Sequence, residues 1–547
     1  MKVVIIGGVA GGATAAARIR RLDEQAEIVV FERSGFVSYA NCGLPYYIGG
    51  TIEDESDLTL QTPESFWKRF RVRMKVHHEV TEIHPEEKTV TVKDLDRGTV
   101  FTEAYDKLLL SPGAKPIKPG LDGIESSRIF TLRTVEDTLK IKNYLTTYRP
   151  KSAVVVGGGF IGIEVAENLK ESGVDVTLVE ASDQLMAPFD RDMASFIHAQ
   201  VRKNGVHLML GHTVEGFADT DQGIAVRLKG SGTISADIVV MAIGVTPETA
   251  LAKAAGLAVG IRGSIVVNNR METSVPDIYA VGDAVQIKNF VTNTDTLICG
   301  GDSHYTGGQG SSIIKIFDMT AAATGINEKT AKALGIDTDK VILSPMNHAG
   351  YYPGGELMTM KVLFEKETYR ILGAQIIGFQ GVDKRIDVLA TAIRARMKAH
   401  QLIDLDLAYA PPYSSAKDPV NMAGYIVENI KNGVVKQWYY EDVEKLPRDG
   451  SATLLDVRTP AEYARGHVEG FVNIPVDELR EHIDELEKTK PVYVICQSGL
   501  RSYIACRILT GNGFDAYNFA GGFRFYDAVR NDVEMVRKST PCGMDDI

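Results

Sequence analysis

Two stretches of the chain carry the same order of apolar and polar positions. Residues 2–33 (KVVIIGGVAGGATAAARIRRLDEQAEIVVFER) and 152–181 (SAVVVGGGFIGIEVAENLKESGVDVTLVEA) each open on an apolar run and pass through a glycine turn. Each then continues at helical spacing and closes on a second apolar run ending in an acid. The pattern predicts strand, turn, amphipathic helix and strand, twice. Residues 325–430 read differently, with three strand-like pieces (KVILSPMN, LMTMKVLFE, RILGAQIIGF) followed by helices. A polar stretch, 436–452, leads to a compact alternation of strands and helices from TLLDVR to Val536, and the tail STPCGMDDI reads as a frayed end. The expected fold is α/β, with two Rossmann-like dinucleotide-binding domains, an α+β domain and a C-terminal α/β domain.

Composition narrows the function classes. Of 547 residues, 44% are hydrophobic and 24% charged, enough for a large core and against long disordered tracts. Sixty Lys and Arg against 71 Asp and Glu give a net charge of −11, which excludes a nucleic-acid footprint spread over the surface but leaves room for a local basic pocket. Five unevenly spaced cysteines (Cys42, Cys299, Cys496, Cys506, Cys542) form no disulfide framework, and the lack of a CxxC pair excludes zinc ribbons and thioredoxin-like dithiols; no metal site is expected. No run approaches the roughly 18 apolar residues of a membrane span. The chain begins its first strand at residue 3, leaving no room for a signal peptide, so a soluble, cytoplasmic protein is expected.

The glycine turns carry the first chemistry. Glycines permit a tight turn and close approach of backbone to a pyrophosphate, which the free N–H groups and positive end of the following helix hold. The first turn, with Gly7, Gly8, Ala10 and Gly12, has Val9 in place of one motif glycine; the second, Gly157, Gly158, Gly159, Phe160, Ile161 and Gly162, is regular. Glu32 lies 25 residues after Gly7, and Glu180 lies 23 after Gly157, a spacing that suits a ribose hydroxyl pair. At the second site a carboxylate repels the extra phosphate of NADPH, and Ala181 and Ser182 supply no Arg for it, so NADH is expected over NADPH.

The stretch TSVPDIYAVGDA (273–284) resembles the second flavin motif of the two-dinucleotide-fold flavoprotein disulfide reductases, and SPGAKP (111–116) resembles their crossover between domains. The resemblance implies FAD in the first fold, with Asp283 on the ribityl chain. Gly282, Gly113, Gly244, Arg33 and Asn41 are further cofactor contacts that it implies. The implied boundaries are 1–112 with 243–324 for the FAD domain, 113–242 for the NAD(H) domain, 325–435 for a dimerisation domain and 445–540 for the C-terminal domain. Most members place a cysteine pair after the first ribose acid; here SYANCGLPYYIGG (38–50) holds Cys42 alone. Its oxidised form must then be a sulfenic acid, a persulfide or a mixed disulfide. The pattern Ser-x-x-Asn-Cys-x-x-Pro-Tyr (38–46) resembles the single-cysteine branch, the coenzyme A disulfide reductases. There the equivalents of Thr14, Arg18, Arg21, Ser38, Asn41 and Lys417 line the coenzyme A site, and further basic residues come in 67–75. HAGYYPGG (348–355) and YAPPYSSAKDPVNMAGY (409–425) resemble hallmark stretches of the dimerisation domain. The resemblance implies a homodimer in which Tyr351 and Tyr409 reach the partner subunit's active site. Between Ile298 and Gly300 the chain is shorter than the family pattern, which carries there a helix facing the flavin ring; a chain truly lacking that helix would hold flavin more weakly.

Near the C-terminus, LLDVRTPAEYARGHVEGFVNIP (454–475) and CQSGLRS (496–502) resemble the two signatures of a rhodanese domain, which moves sulfane sulfur. Cys496 ends a predicted strand and starts a tight loop that opens a helix; loop N–H groups converge on the sulfur and the helix end favours its charged form. Arg501 adds positive charge to the rim. Together the resemblances imply an FAD-dependent NADH:coenzyme A persulfide, polysulfide and disulfide reductase working through Cys42, with Cys496 handling sulfane sulfur and coenzyme A as substrate or bound adduct. The alternatives are an NADH oxidase or peroxidase cycling Cys42 through sulfenic acid, and a non-catalytic redox-sensing scaffold.

Overall fold

The structure, a computed structural model, describes residues 1–293, 295–297 and 305–539, and for 295–297 and 537–539 the backbone alone. The junction at Cys299 and the tail with Cys542 lie outside the described residues. The chain forms two compact units: Met1–Asp183 with Gly205–Gly308, and Gln184–Asn204 with the chain from Gln309 onward.

The first unit contains both predicted βαβ repeats. Strand Lys2–Ile6 pairs in parallel with Glu27–Phe31 on one side and Lys107–Leu110 on the other, and Arg73–Lys75 and Ile278–Ala280 complete a five-stranded sheet. Strand Ser152–Val156 is likewise central between Asp175–Glu180 and Ile238–Met241, with His207–Leu210 and Ile129–Thr131 at the edges. Val4, Ile5, Val154 and Val155 are fully buried, as central parallel strands covered on both faces require. Helix Ala10–Leu22 covers the first sheet and Phe160–Glu171 the second.

In the second unit, strands Ser312–Ile316, Met319–Gly325, Ile371–Gly378, Thr359–Glu365 and Thr338–Leu343 form an antiparallel sheet in that order. Residues 312–324, which the sequence assigns to the flavin domain, therefore belong to this sheet. The apolar run Ala321–Ala323 is buried there and gave no local sign of which sheet it would join. Lys361, 1% exposed, lies among Asp190 (3.0 Å), Asp192 (2.9 Å) and Glu328, while Lys340 pairs with Glu328 and Glu441. The Asp190, Asp192 and Glu328 carboxylates, close enough together for a metal, are thus matched by ammonium groups. The rhodanese-like sheet is parallel, ordered Lys436–Trp438, Ala516–Phe519, Val492–Ile495, Thr453–Asp456, Val472–Asn473. Its edge strand lies inside the stretch read from sequence as a polar connector, because Trp438 is buried against Phe471 and Phe519.

Helix Arg191–Lys203 packs on the last helix, Gly522–Ser539, through buried His198. Asp532 accepts from its Nδ1 (2.8 Å) and from Arg191 and Arg202. The Leu185 N–H donates to His198 Nε2, which fixes the neutral ring, and burial depresses the ring's proton affinity. Among the described residues no helix is long and apolar enough to cross a membrane.

Candidate active site

The two glycine turns have matching geometry. Gly7 and Gly157 take φ of +96° and +109°, and a Cβ on Gly12 or Gly162 would lie 1.8 or 1.9 Å from the carbonyl oxygen of Gly7 or Gly157. Glu32 accepts from the N–H groups of Gly8 (2.8 Å) and Ser34 (2.9 Å); Glu180 accepts from Gly158 and Ser182, both at 2.7 Å. Each acid holds its own turn in place.

Beside the first turn lies a cavity of about 900 Å³. Ala10, Thr14, Gly113, Gly282 and Asp283 are among its walls. So are Arg18, Arg21, Lys107, Arg133 and Arg270. Thr14, Arg18 and Arg21 follow at helical spacing on one exposed face of the first helix. Arg20, between them, is buried and gives its guanidinium to backbone carbonyls of Phe70, Glu24 and Ala26 among others. Asn41 is also a wall, and its side-chain oxygen is buried without a hydrogen-bond partner. Arg133, unremarked in the sequence, donates to Asp283 at 2.6 Å.

Other expected residues lie elsewhere. Arg33 pairs with Glu248 (3.6 Å). Ser38, at φ +48°, donates its N–H to the Gly8 carbonyl and so ties the cysteine loop to the glycine turn. In the basic stretch 67–75, Arg71 stacks on Trp67 and Lys75 on Phe31 and Phe101. Lys417, in the second unit, stacks over Tyr425 at 5.1 Å.

Cys42 lies exposed in the 3₁₀ turn Asn41–Gly43, which runs into helix Leu44–Gly49. One turn on, Tyr46 faces Glu164 of the second repeat's helix (3.5 Å). Burial and the Glu164 charge push the Tyr46 hydroxyl up to about 12, while burial and Glu167 push the Glu164 carboxyl up to about 7.

The second turn borders a cavity of about 580 Å³ with Gly157, Gly159, Glu180, Ala181, His212 and Gly244 among its walls. Phe160, Ile161 and Gly162 begin the helix beside it. A Cβ on Gly159 would meet nothing within 4 Å, so this glycine keeps space open rather than a turn closed.

In the second unit, the exposed Tyr351 and Tyr409 join their hydroxyls at 2.9 Å, and that bond raises the Tyr409 pKa. In the rhodanese-like sheet, buried Cys496 accepts from the Gly499 N–H and, unforeseen from sequence, from the Ser502 hydroxyl, both at 3.2 Å. Arg501 does not offer free charge to the rim: it makes a two-pronged pair with Glu462, 2.7 Å on each arm. Burial pushes the Cys506 thiol well up, which keeps it an apolar core group.

Two dinucleotide folds, an accessible lone cysteine beside the first and a cysteine cup at the far end of the chain define a sulfur-handling oxidoreductase of two nucleotide sites. The chain belongs to the pyridine nucleotide-disulphide oxidoreductases: that family's model matches residues 1–296, its dimerisation domain 311–419, and the rhodanese-like domain 439–528. It is 36% identical over 442 residues to a coenzyme A disulfide reductase of Staphylococcus epidermidis, covering 78% of this chain and 99% of that one. Among solved structures it is similar to reduced Bacillus anthracis CoADR-RHD (46% identity, TM-score 0.94, 97% of this chain and 98% of that one). It is also similar to an NAD-dependent persulfide reductase from A. fulgidus (36% identity, TM-score 0.90, 96% and 100%). The family implies FAD and a reduced nicotinamide nucleotide. The residues present fit both: the orphaned Asn41 oxygen, the cradles no Cβ could share and the Arg133–Asp283 pair suit the first, and the open space at Gly159 suits the second.

Proposed function

We propose that this protein is an FAD-dependent NADH:coenzyme A persulfide and disulfide reductase, with a rhodanese domain that carries sulfane sulfur on Cys496. The observation that carries the reading is exposed Cys42 next to Asn41, which holds a buried, unpartnered side-chain oxygen and walls a cavity together with Arg18 and Arg21. Guanidinium groups along one helix face suit the phosphates of a coenzyme A arm.

The Cys42 thiolate attacks the outer sulfur of coenzyme A persulfide. The sulfur–sulfur bond breaks, coenzyme A leaves as thiolate and Cys42 becomes a persulfide. With the disulfide as substrate, one coenzyme A leaves and the other stays on Cys42 as a mixed disulfide. When bound, the flavin supplies two electrons, drawn from the nicotinamide, that free the sulfide or the second coenzyme A. Glu180 selects NADH by repelling a ribose phosphate. The chain acts as a homodimer, in which the Tyr351–Tyr409 hydroxyl pair of one subunit steadies the leaving thiolate at the other's Cys42. Reliance on reduced nicotinamide and coenzyme A fits a cytoplasmic enzyme.

The test is anaerobic NADH consumption by the FAD-loaded protein with coenzyme A persulfide, coenzyme A disulfide or hydrogen peroxide. Turnover of the coenzyme A substrates, with sulfide released from the persulfide, is expected. Peroxide turnover with neither coenzyme A substrate used would replace the reading with a peroxidase. Cys42→Ser should abolish both coenzyme A reactions, whereas Cys496→Ala should spare disulfide reduction.

A further inference from the structure

Among the described residues Arg458, Arg524 and Arg501 stand at the cysteine loop of the rhodanese cup, and each is already engaged. Arg458 is buried against Asp456 (2.7 Å) and stacks on Phe523. Arg524 turns to the Thr359 hydroxyl and the Phe196 ring. Arg501, the residue of the cysteine loop itself, is neutralised by Glu462 on both arms, and Glu462 is held in that pose by the Thr459 N–H (2.9 Å) and hydroxyl (3.0 Å). The Arg501 pair holds the Glu462 carboxyl down to about 2, so the pairing persists at every pH at which the protein would work.

Two further features describe the mouth. The helix that opens from the loop shows Leu500 (66% exposed) and, one turn on, Ile504 (41%) to solvent. Cys496 itself has no exposed surface, so a donor must present its sulfur end-on to reach it.

We propose that Glu462 sets the donor specificity of the rhodanese domain: by cancelling Arg501 it disfavours a dianionic donor such as thiosulfate and leaves a neutral, apolar-lipped cup for the persulfide end of an aliphatic thiol arm. This rests on Cys496 being the sulfur carrier. The Cys496 thiolate attacks the terminal sulfur of R–S–SH, the sulfur–sulfur bond breaks, R–S⁻ leaves, and Cys496 becomes a persulfide. Transfer of that sulfur to an acceptor anion such as cyanide restores the thiolate and yields thiocyanate. No electrons enter or leave. Glu462 does not touch the sulfur; it positions and neutralises Arg501.

The experiment measures thiocyanate formation by the full-length protein with coenzyme A persulfide or thiosulfate as donor. The wild-type protein should favour the persulfide at least tenfold in kcat/KM. Glu462→Gln keeps the side-chain shape, frees the Arg501 charge and should raise thiosulfate kcat/KM about tenfold, through KM, with the persulfide value changed less than threefold. Arg501→Gln should lower thiosulfate use below that of the wild type. NADH-driven disulfide reduction at Cys42, expected to be unchanged, reports that each variant is folded. An equal preference in the wild type, or an unchanged donor ratio in Glu462→Gln, would overturn the inference while leaving Cys496 as carrier. Transfer surviving in Cys496→Ala would overturn the carrier reading and the inference with it.

Discussion

The two nucleotide folds of the first unit repeat the same backbone and part company one helical turn later. Gly7, Gly8 and Gly12 recur 150 positions on as Gly157, Gly158 and Gly162, each acid bonding its own turn. On the helices that follow, Thr14 and Arg18 correspond by the same offset to Glu164 and Asn168. The first pair is exposed and walls a cavity whose lining, among the described residues, holds five Lys and Arg side chains against Asp283. In the second, Asn168 is buried where helix Leu44–Gly49 packs, so close that a Cβ on Gly49 would meet its side-chain oxygen at 2.0 Å. The walls of the second cavity, among the described residues, include Glu180 and no Lys or Arg. A nucleotide fold is thus a backbone device; what else it binds is decided by whether the helix face beyond the glycines is left open or covered.

The equivalence is sharpest at the glycines. Gly12→Val and Gly162→Val should each cost at least ~3 kcal/mol, by matching amounts, in urea unfolding. A tolerated substitution in only one would mean that the turns are alike in sequence but not in energetics. Next in size, Arg18→Ala with Arg21→Ala should raise KM for coenzyme A persulfide roughly 30-fold, about 2 kcal/mol, and leave KM for NADH alone. Equal effects on the two substrates would erase the division of labour between the helices.

The covered helix offers a pH test. Glu164 holds its proton to about pH 7 when folded but releases it in the ordinary carboxylate range when unfolded, so stability falls as pH rises through that window. Glu164→Gln should match the wild type near pH 4 and exceed it by on the order of 1 kcal/mol above pH 7, a figure discounted for the solvent-facing part of the side chain. The gap is read from unfolding midpoints across pH. Smallest of all, Gly159→Ala should change stability by less than ~0.5 kcal/mol and yet weaken NADH binding, measured by titration. If it unfolds the protein instead, that glycine serves the turn after all.

Much of this was legible in the sequence because the governing contacts are local. A glycine turn, its following helix and its acid span some 25 residues, and the cysteine cup runs from Cys496 to Ser502. Pairings across long separations were not. Arg133 meets Asp283 150 residues away, Glu462 meets Arg501 39 away, and nothing in either neighbourhood encodes the partner. The same limit applies to Met319–Gly325, whose apolar residues announce burial but not the sheet that buries them, and to Lys436–Trp438, where one buried Trp outweighs its polar neighbours. Arg20 shows a third limit: a charge run reads as one surface, although one guanidinium in it caps backbone carbonyls in the interior.

The buried His198–Asp532 contact bears on how the protein is made. The two residues are 334 positions apart, and helix Arg191–Lys203 emerges from the ribosome long before its partner exists. At 5–20 residues per second the wait is roughly 15–70 s. During that time the apolar face of the helix has no C-terminal helix to cover it. The first unit can close around the interruption, since its own chain resumes at Gly205. Production of the intact protein should therefore be more sensitive to chaperone supply and to stalled translation near the 3′ end of the message than its final stability suggests.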